Sequence, residues 1–228
     1  MAAASNVVPA LDAILAVYYR DTGKNIRYTS GSSGNLMHQI TRGAPFQVFL
    51  SADEHYVDRL HRLNLTRREG KIYALGKLGI FIPRYSTLAN HTTASSKLFN
   101  DTRMKRLAIA NPEHAPYGRA AKEVLQNTGT WDHLEHVLIV GENAAQALQF
   151  ALTGSVQGAI IPASLMTHQL PREAGVFLEF PSDWHQPLRQ KVVLLKNSSP
   201  DAEAFFVYLT AARARSIWRR NGYDLPDL

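Results

Sequence analysis

Residues 25–53 read NIRYTSGSSGNLMHQITRGAPFQVFLSAD. The opening five, with Ile26, Tyr28 and Thr29, have the β-branched and aromatic character of a short strand. Ser30-Gly31-Ser32-Ser33-Gly34 follows, a loop built only of small residues. Leu36, Met37 and Ile40 then recur at helical spacing, and Gly43 supplies a stop. Residues 47–50 are a short apolar run that suits a buried strand, and 53–65 return to a helical pattern. Strand, small-residue turn, helix, strand is the repeating unit of an α/β fold with mainly parallel sheets.

The alternation continues in both directions. Upstream, a helix is expected from near Val7, with Pro9 in its first turn and Leu11, Ile14, Leu15 and Tyr18 as its apolar stripe. Gly23 ends it. Downstream, strands are expected at 78–83, 107–110, 136–140, 157–161, 176–180 and 190–195. Helices are expected at 118–127, closed by Gly129, and at 144–152, closed by Gly154. A helical tail opens at Ser199 and Pro200 and is capped near Gly222. A polar stretch rich in Ser, Thr and Asn occupies 85–101.

Composition narrows the classes. The chain has 228 residues, 45% of them hydrophobic and 19% charged, which excludes a disordered chain. No apolar run approaches the roughly 18 residues of a membrane span. The formal net charge is +6, so a nucleic-acid partner has to be considered. The basic residues are scattered, however: Arg67-Arg68, then Arg103, Lys105 and Arg106, then Arg213, Arg215, Arg219 and Arg220 on a helix whose Phe205, Leu209 and Ile217 face inward. A solvated face accounts for them. There are no cysteines, which removes disulfides, thiolate metal sites and cysteine nucleophiles together.

Four turns of one kind recur: Ala4-Ser5-Asn6, Gly31-Ser32-Ser33-Gly34, Pro116-Tyr117-Gly118 and Glu142-Asn143-Ala144. Each precedes a helix, whose first turn presents N–H groups and a partial positive charge. Small residues let an anion approach that backbone, and serine hydroxyls add donors. Each turn alone also reads as a plain helix cap. No G-x-S-x-G elbow, P-loop or H-E-x-x-H motif occurs. His133 and His136 have helical spacing for a metal but read better as a solvated helix end. His114 reads as a structural hydrogen-bonding group rather than a catalytic one.

The stretches Ala2-Ala3-Ala4-Ser5, Gly31-Ser32-Ser33-Gly34, Gly43-Ala44-Pro45-Phe46-Gln47-Val48-Phe49-Leu50-Ser51-Ala52-Asp53 and Asn111-Pro112-Glu113-His114-Ala115-Pro116-Tyr117-Gly118, with the closing Asn221-Gly222-Tyr223, resemble the periplasmic molybdate-binding proteins of bacterial ABC importers. The resemblance runs in the same order along nearly the whole chain. It implies a two-lobed type II periplasmic-binding-protein fold, each lobe a mainly parallel sheet flanked by helices, with the anion in the cleft. Lobe one is expected at residues 1–76 plus 189–228, and lobe two at 77–188. The implied ligand is molybdate or tungstate, with no cofactor, no directly bound metal cation and no enzymatic step. The implied partner is a membrane permease; no nucleic acid is involved, and a monomer in the periplasm is expected. Ser5 and Ser33 are implied to bind oxyanion oxygens through hydroxyl and N–H, with Asn6 beside them. Tyr117 and Ala144 are implied to offer backbone N–H groups. Ser32 and Ile161 are neighbours of that set.

Three departures accompany the resemblance. Many family members carry a tyrosine where this chain has Ile161, which has no hydrogen to donate, so that contact is lost or moves to Asn6 or Tyr117. Gln47 stands where an Asp is usual. Only Met1 precedes the Ala-Ala-Ala-Ser turn, so a leading strand of lobe one and an export signal are expected to be absent. Neutral donors in a dehydrated site would favour a full dianion and reject hydrogen phosphate, whose O–H would meet another donor. A sulfate or phosphate binder, or a cytosolic oxyanion sensor, remains the alternative.

Overall fold

The structure, a computed structural model, describes residues 1–166 and 172–227. It divides into two compact units, Met1–Gly76 with Leu188–Leu228, and Lys77–Pro187.

Unit one contains β1 (Ala2–Ala4), α1 (Val8–Thr22), β2 (Thr29–Gly31), α2 (Ser33–Thr41), β3 (Val48–Ser51), α3 (His55–Arg62) and β4 (Lys71–Gly76). Unit two contains β5 (Leu78–Pro83), α4 (Ser96–Phe99), β6 (Leu107–Ala110), α5 (Pro116–Asn127), α6 (Trp131–Leu134), β7 (Leu138–Gly141), α7 (Ala144–Leu152), β8 (Gly158–Pro162) and β9 (Gly175–Glu179). The chain then returns to unit one with β10 (Leu188–Leu194), α8 (Pro200–Leu209) and α9 (Ala212–Arg220).

Each unit is built on a five-stranded sheet, ordered β2-β1-β3-β10-β4 in unit one and β7-β6-β8-β5-β9 in unit two. The two orders are the same topology. In each sheet the first three strands are parallel, and one strand, β10 or β5, runs against its neighbours on both sides. Four of five strands in each sheet therefore point one way. The reversed strand is in each case the first one after the chain passes between the units.

The expectation of a missing leading strand is overturned. Ala2–Ala4 are themselves that strand, and β1 is paired on both sides, with β2 and with β3. No gap is left in this part of the sheet. The reason is burial on both faces. Ala3 belongs to the cluster around Leu11, Ile14, Tyr18, Phe205 and Trp218. Ala2 belongs to the opposite one around Leu36, Met37, Tyr56 and Leu60. A strand between two helical layers has no polar alternation, and here it needs small side chains, so its sequence lacks the usual strand signal.

Two other elements differ in place. The strand expected at 25–29 lies at Thr29–Gly31, drawn on by pairing with β1. The C-terminal tail is two helices, with Thr210 as the cap of the first and Ala211 as the cap of the second. Trp218 anchors the second: its Nε1 donates to the Leu209 carbonyl at 3.1 Å, and its ring lies 4.8 Å from Tyr73. In unit two, Gly118 is dictated by close approach. A Cβ there would sit 2.4 Å from the Ala110 carbonyl oxygen, so α5 meets the end of β6 at a distance only glycine permits.

Candidate functional site

In unit one the parallel strands β2, β1 and β3 end along one edge. Ala4 is the partner of Gly31, and Ala3 the partner of Leu50. Neighbouring strands lie about 4.8 Å apart, so the turns that leave them are neighbours too. After β1 the chain enters a short 3-10 turn, Ser5–Val7, and then α1; after β2 it passes through Ser32 into α2, which begins at Ser33. Carboxyl ends of parallel strands are where α/β folds hold ligands, because helix N-termini gather there.

The two serines differ in what they do. Ser33 is fully buried, and its Oγ accepts a hydrogen bond from the Ala52 N–H at 3.0 Å. Its own hydroxyl hydrogen is given to no acceptor among the described residues. Ser5 is 6% exposed, and its hydroxyl has no partner among the described residues. Ser32 is buried beside Ser33, ahead of the helix. The nearby carboxylate of Asp53 is turned toward the Tyr56 N–H, 3.3 Å away.

Asn6 is held from inside the unit. Its Nδ2 donates to Gln190 Oε1 at 2.9 Å and to the Tyr223 hydroxyl at 2.8 Å. Tyr223 in turn donates to the Asn6 carbonyl at 2.9 Å. Both amide hydrogens of the side chain are engaged within unit one.

Unit two repeats the arrangement. Strands β6 and β7 are parallel, Ala110 pairs with Gly141, and the Asn111 N–H continues the ladder to the Gly141 carbonyl at 2.7 Å. The loop after β6 leads into α5, where Pro116 is first and the buried Tyr117 second. The turn after β7 leads into α7. Its cap is Asn143, whose Oδ1 accepts from the N–H groups of Ala145 and Gln146 at 3.0 and 3.1 Å. The plain capping reading therefore holds for Asn143. The N–H of Ala144, the first residue of α7, is not one the cap takes. Ile161 is fully buried near the end of β8, opposite Gly79.

His133 Nε2 lies 3.1 Å from the Phe99 carbonyl, and His136 is exposed beside Glu135. Among the described residues no group of three or more His, Cys, Asp or Glu could hold an ion. His114 does not fill the expected role: its Nδ1 is buried without a hydrogen-bond partner among the described residues.

Charge is unevenly divided. Lys and Arg outnumber Asp and Glu in unit one, and the two classes are equal in unit two. The four turns themselves hold no Lys or Arg except Arg119, which follows Gly118. The net positive charge of the chain thus lies in unit one. Sequence reading missed Ala52, Gln190 and Tyr223 as supports of the serine turns. The one readable signal was Gln190, a carboxamide two residues ahead of the apolar run 192–195.

The sequence profile of the bacterial extracellular solute-binding protein family matches residues 1–224. The chain is 33% identical to the molybdate-binding protein ModA of Rhodobacter capsulatus, over 97% of this chain and 86% of that protein. It is 31% identical to the ModA of Azotobacter vinelandii, over 99% of this chain and 89% of that protein. The solved structure of the Azotobacter vinelandii periplasmic molybdate-binding protein is similar with a TM-score of 0.91 at 26% identity, covering 99% of this chain and 98% of that one.

Proposed function

We propose that this chain, which belongs to the family of bacterial extracellular solute-binding proteins, is a receptor that captures molybdate or tungstate and delivers it to the permease of an ABC importer. Ser5 and Ser33 donate their hydroxyl hydrogens to oxyanion oxygens, and Asn6 adds its main chain. Tyr117 and Ala144 of unit two contribute backbone N–H groups, each at the start of a helix. The protein works in the periplasm as a monomer, uses no cofactor and carries out no reaction.

The observation that carries this reading is the state of the two serines. Two hydroxyls at the starts of helical segments, those of Ser5 and Ser33, give their hydrogens to no acceptor among the described residues. Such groups suit an acceptor-only ligand, and charge-assisted bonds to a dianion are each worth about 1.5–3 kcal/mol. Neutral donors also explain discrimination: a protonated anion would set its O–H against another donor.

A thermal-shift screen tests the reading. Molybdate and tungstate should raise the melting temperature, and sulfate and phosphate should do so less at equal concentration. A larger shift with sulfate or phosphate would reassign the ligand, and no shift with any of the four would remove the receptor function.

A further inference from the structure

Gln190 is out of character with its strand. Its polar neighbours in β10 are an exposed Arg189 and a half-buried Lys191, yet Gln190 is as fully buried as Val192 and Val193. The pairing with β4 slips at this point: Gln190 lies opposite Ala74, and Lys191 opposite Ile72. An irregularity of this kind re-aims a side chain relative to the regular pleat.

The carboxamide of Gln190 reaches two other segments of unit one, besides the start of its own strand. Its Oε1 accepts from Asn6 Nδ2 at 2.9 Å. Its Nε2 donates to the Ala52 carbonyl at 2.9 Å and, at 3.4 Å, to the Leu188 carbonyl. Asn6 directly follows Ser5. Ala52 is the residue whose N–H is bonded to Ser33 Oγ. A single side chain therefore holds the residue next to one serine and the residue bonded to the other.

We infer that Gln190 is a positioning residue that fixes the spacing of Ser5 and Ser33, and thereby the size of oxyanion that unit one accepts. The inference rests on the receptor reading above. A carboxamide suits the task because it presents an acceptor at one end and a donor at the other, at a set separation and without charge. A hydrocarbon side chain would hold neither turn. A glutamate would keep the acceptor toward Asn6 and place an oxygen against the Ala52 carbonyl.

The test is a double-mutant cycle read by calorimetric titration of the full chain with molybdate and with sulfate. Gln190→Leu should weaken molybdate binding about ten-fold in the wild-type background and less than about three-fold in a Ser33→Ala background, because part of its effect passes through Ser33. The ratio of molybdate to sulfate affinity should fall as well. A role confined to stability would lower the melting temperature of the free protein but leave that ratio unchanged. If the leucine variant does not fold, Gln190→Glu preserves volume and should give the same non-additivity. Equal factors in the two backgrounds, or an unchanged dissociation constant, would overturn the inference. A wild-type chain that binds none of the anions would remove the receptor reading and this inference with it. Wild-type binding with additive variants would remove only the role of Gln190.

Discussion

The Ser33 hydroxyl accepts a hydrogen bond from the main-chain N–H of Ala52, 3.0 Å away. That contact joins the start of α2 to the residue that follows β3. It also holds the oxygen in place, and an oxygen already receiving one hydrogen bond is polarised to donate its own hydrogen elsewhere. Ser33 is thus prepared as a donor before any ligand arrives.

Ser33→Ala should weaken molybdate binding by roughly thirty-fold, the loss of one charge-assisted bond of about 2 kcal/mol. It should also cost about 1 kcal/mol of stability, because the buried Ala52 N–H loses its acceptor. Ser32→Ala should change the dissociation constant far less. Calorimetry on the two variants side by side checks the assignment, and equal losses would contradict it.

Ala144→Pro separates the fold from the binding function. Proline is tolerated in the first turn of a helix, and Asn143, with φ −150° and ψ 178°, already has the extended conformation that a residue before proline requires. The variant should fold with a near-normal melting temperature and lose most molybdate affinity, because only the N–H has been removed. Retained affinity would take Ala144 out of the ligand set.

Ala3→Leu tests the corrected reading of the first strand. Ala3 is fully buried between helices in a strand paired on both sides. A larger side chain there should destabilise the protein by about 1–3 kcal/mol through overpacking, read as a lowered melting temperature.

The alternation of helix and strand, the four small-residue turns and their order were legible because apolar period and glycine stops act locally. Ala2–Ala4 was not, since three alanines covered on both faces show neither alternation nor β-branching. Strand β4 was passed over, its Lys71 and Ile72 sitting too close to a polar turn to stand out. The serines could be named from their turns, but the unused hydrogen of Ser33 depends on Ala52, nineteen residues on, and the hold on Asn6 depends on Gln190 and Tyr223, farther still. Contacts of that range leave no mark in a local pattern.

The polar stretch before β6 has its own acid dependence. The Arg103 guanidinium, the Arg103 N–H and His91 together hold the Asp101 carboxyl well below the usual carboxylate range. A carboxyl depressed in the folded state stabilises it above the unfolded value of 3.8, and that contribution disappears as pH falls through the lower, folded value. The melting-temperature difference between wild type and Asp101→Asn should therefore hold steady from pH 7 down to about pH 4 and shrink only below it. A difference that vanishes by pH 5 would contradict this.

The central claim is that neutral hydroxyl and N–H donors hold a tetrahedral dianion. Calorimetric titration of the wild-type chain with molybdate, repeated with tungstate, sulfate and phosphate, tests it most directly. The account predicts saturable binding of one molybdate or tungstate per chain, with sulfate weaker and phosphate weaker still at neutral pH. Absence of molybdate binding, or phosphate binding as tight as molybdate, would contradict it.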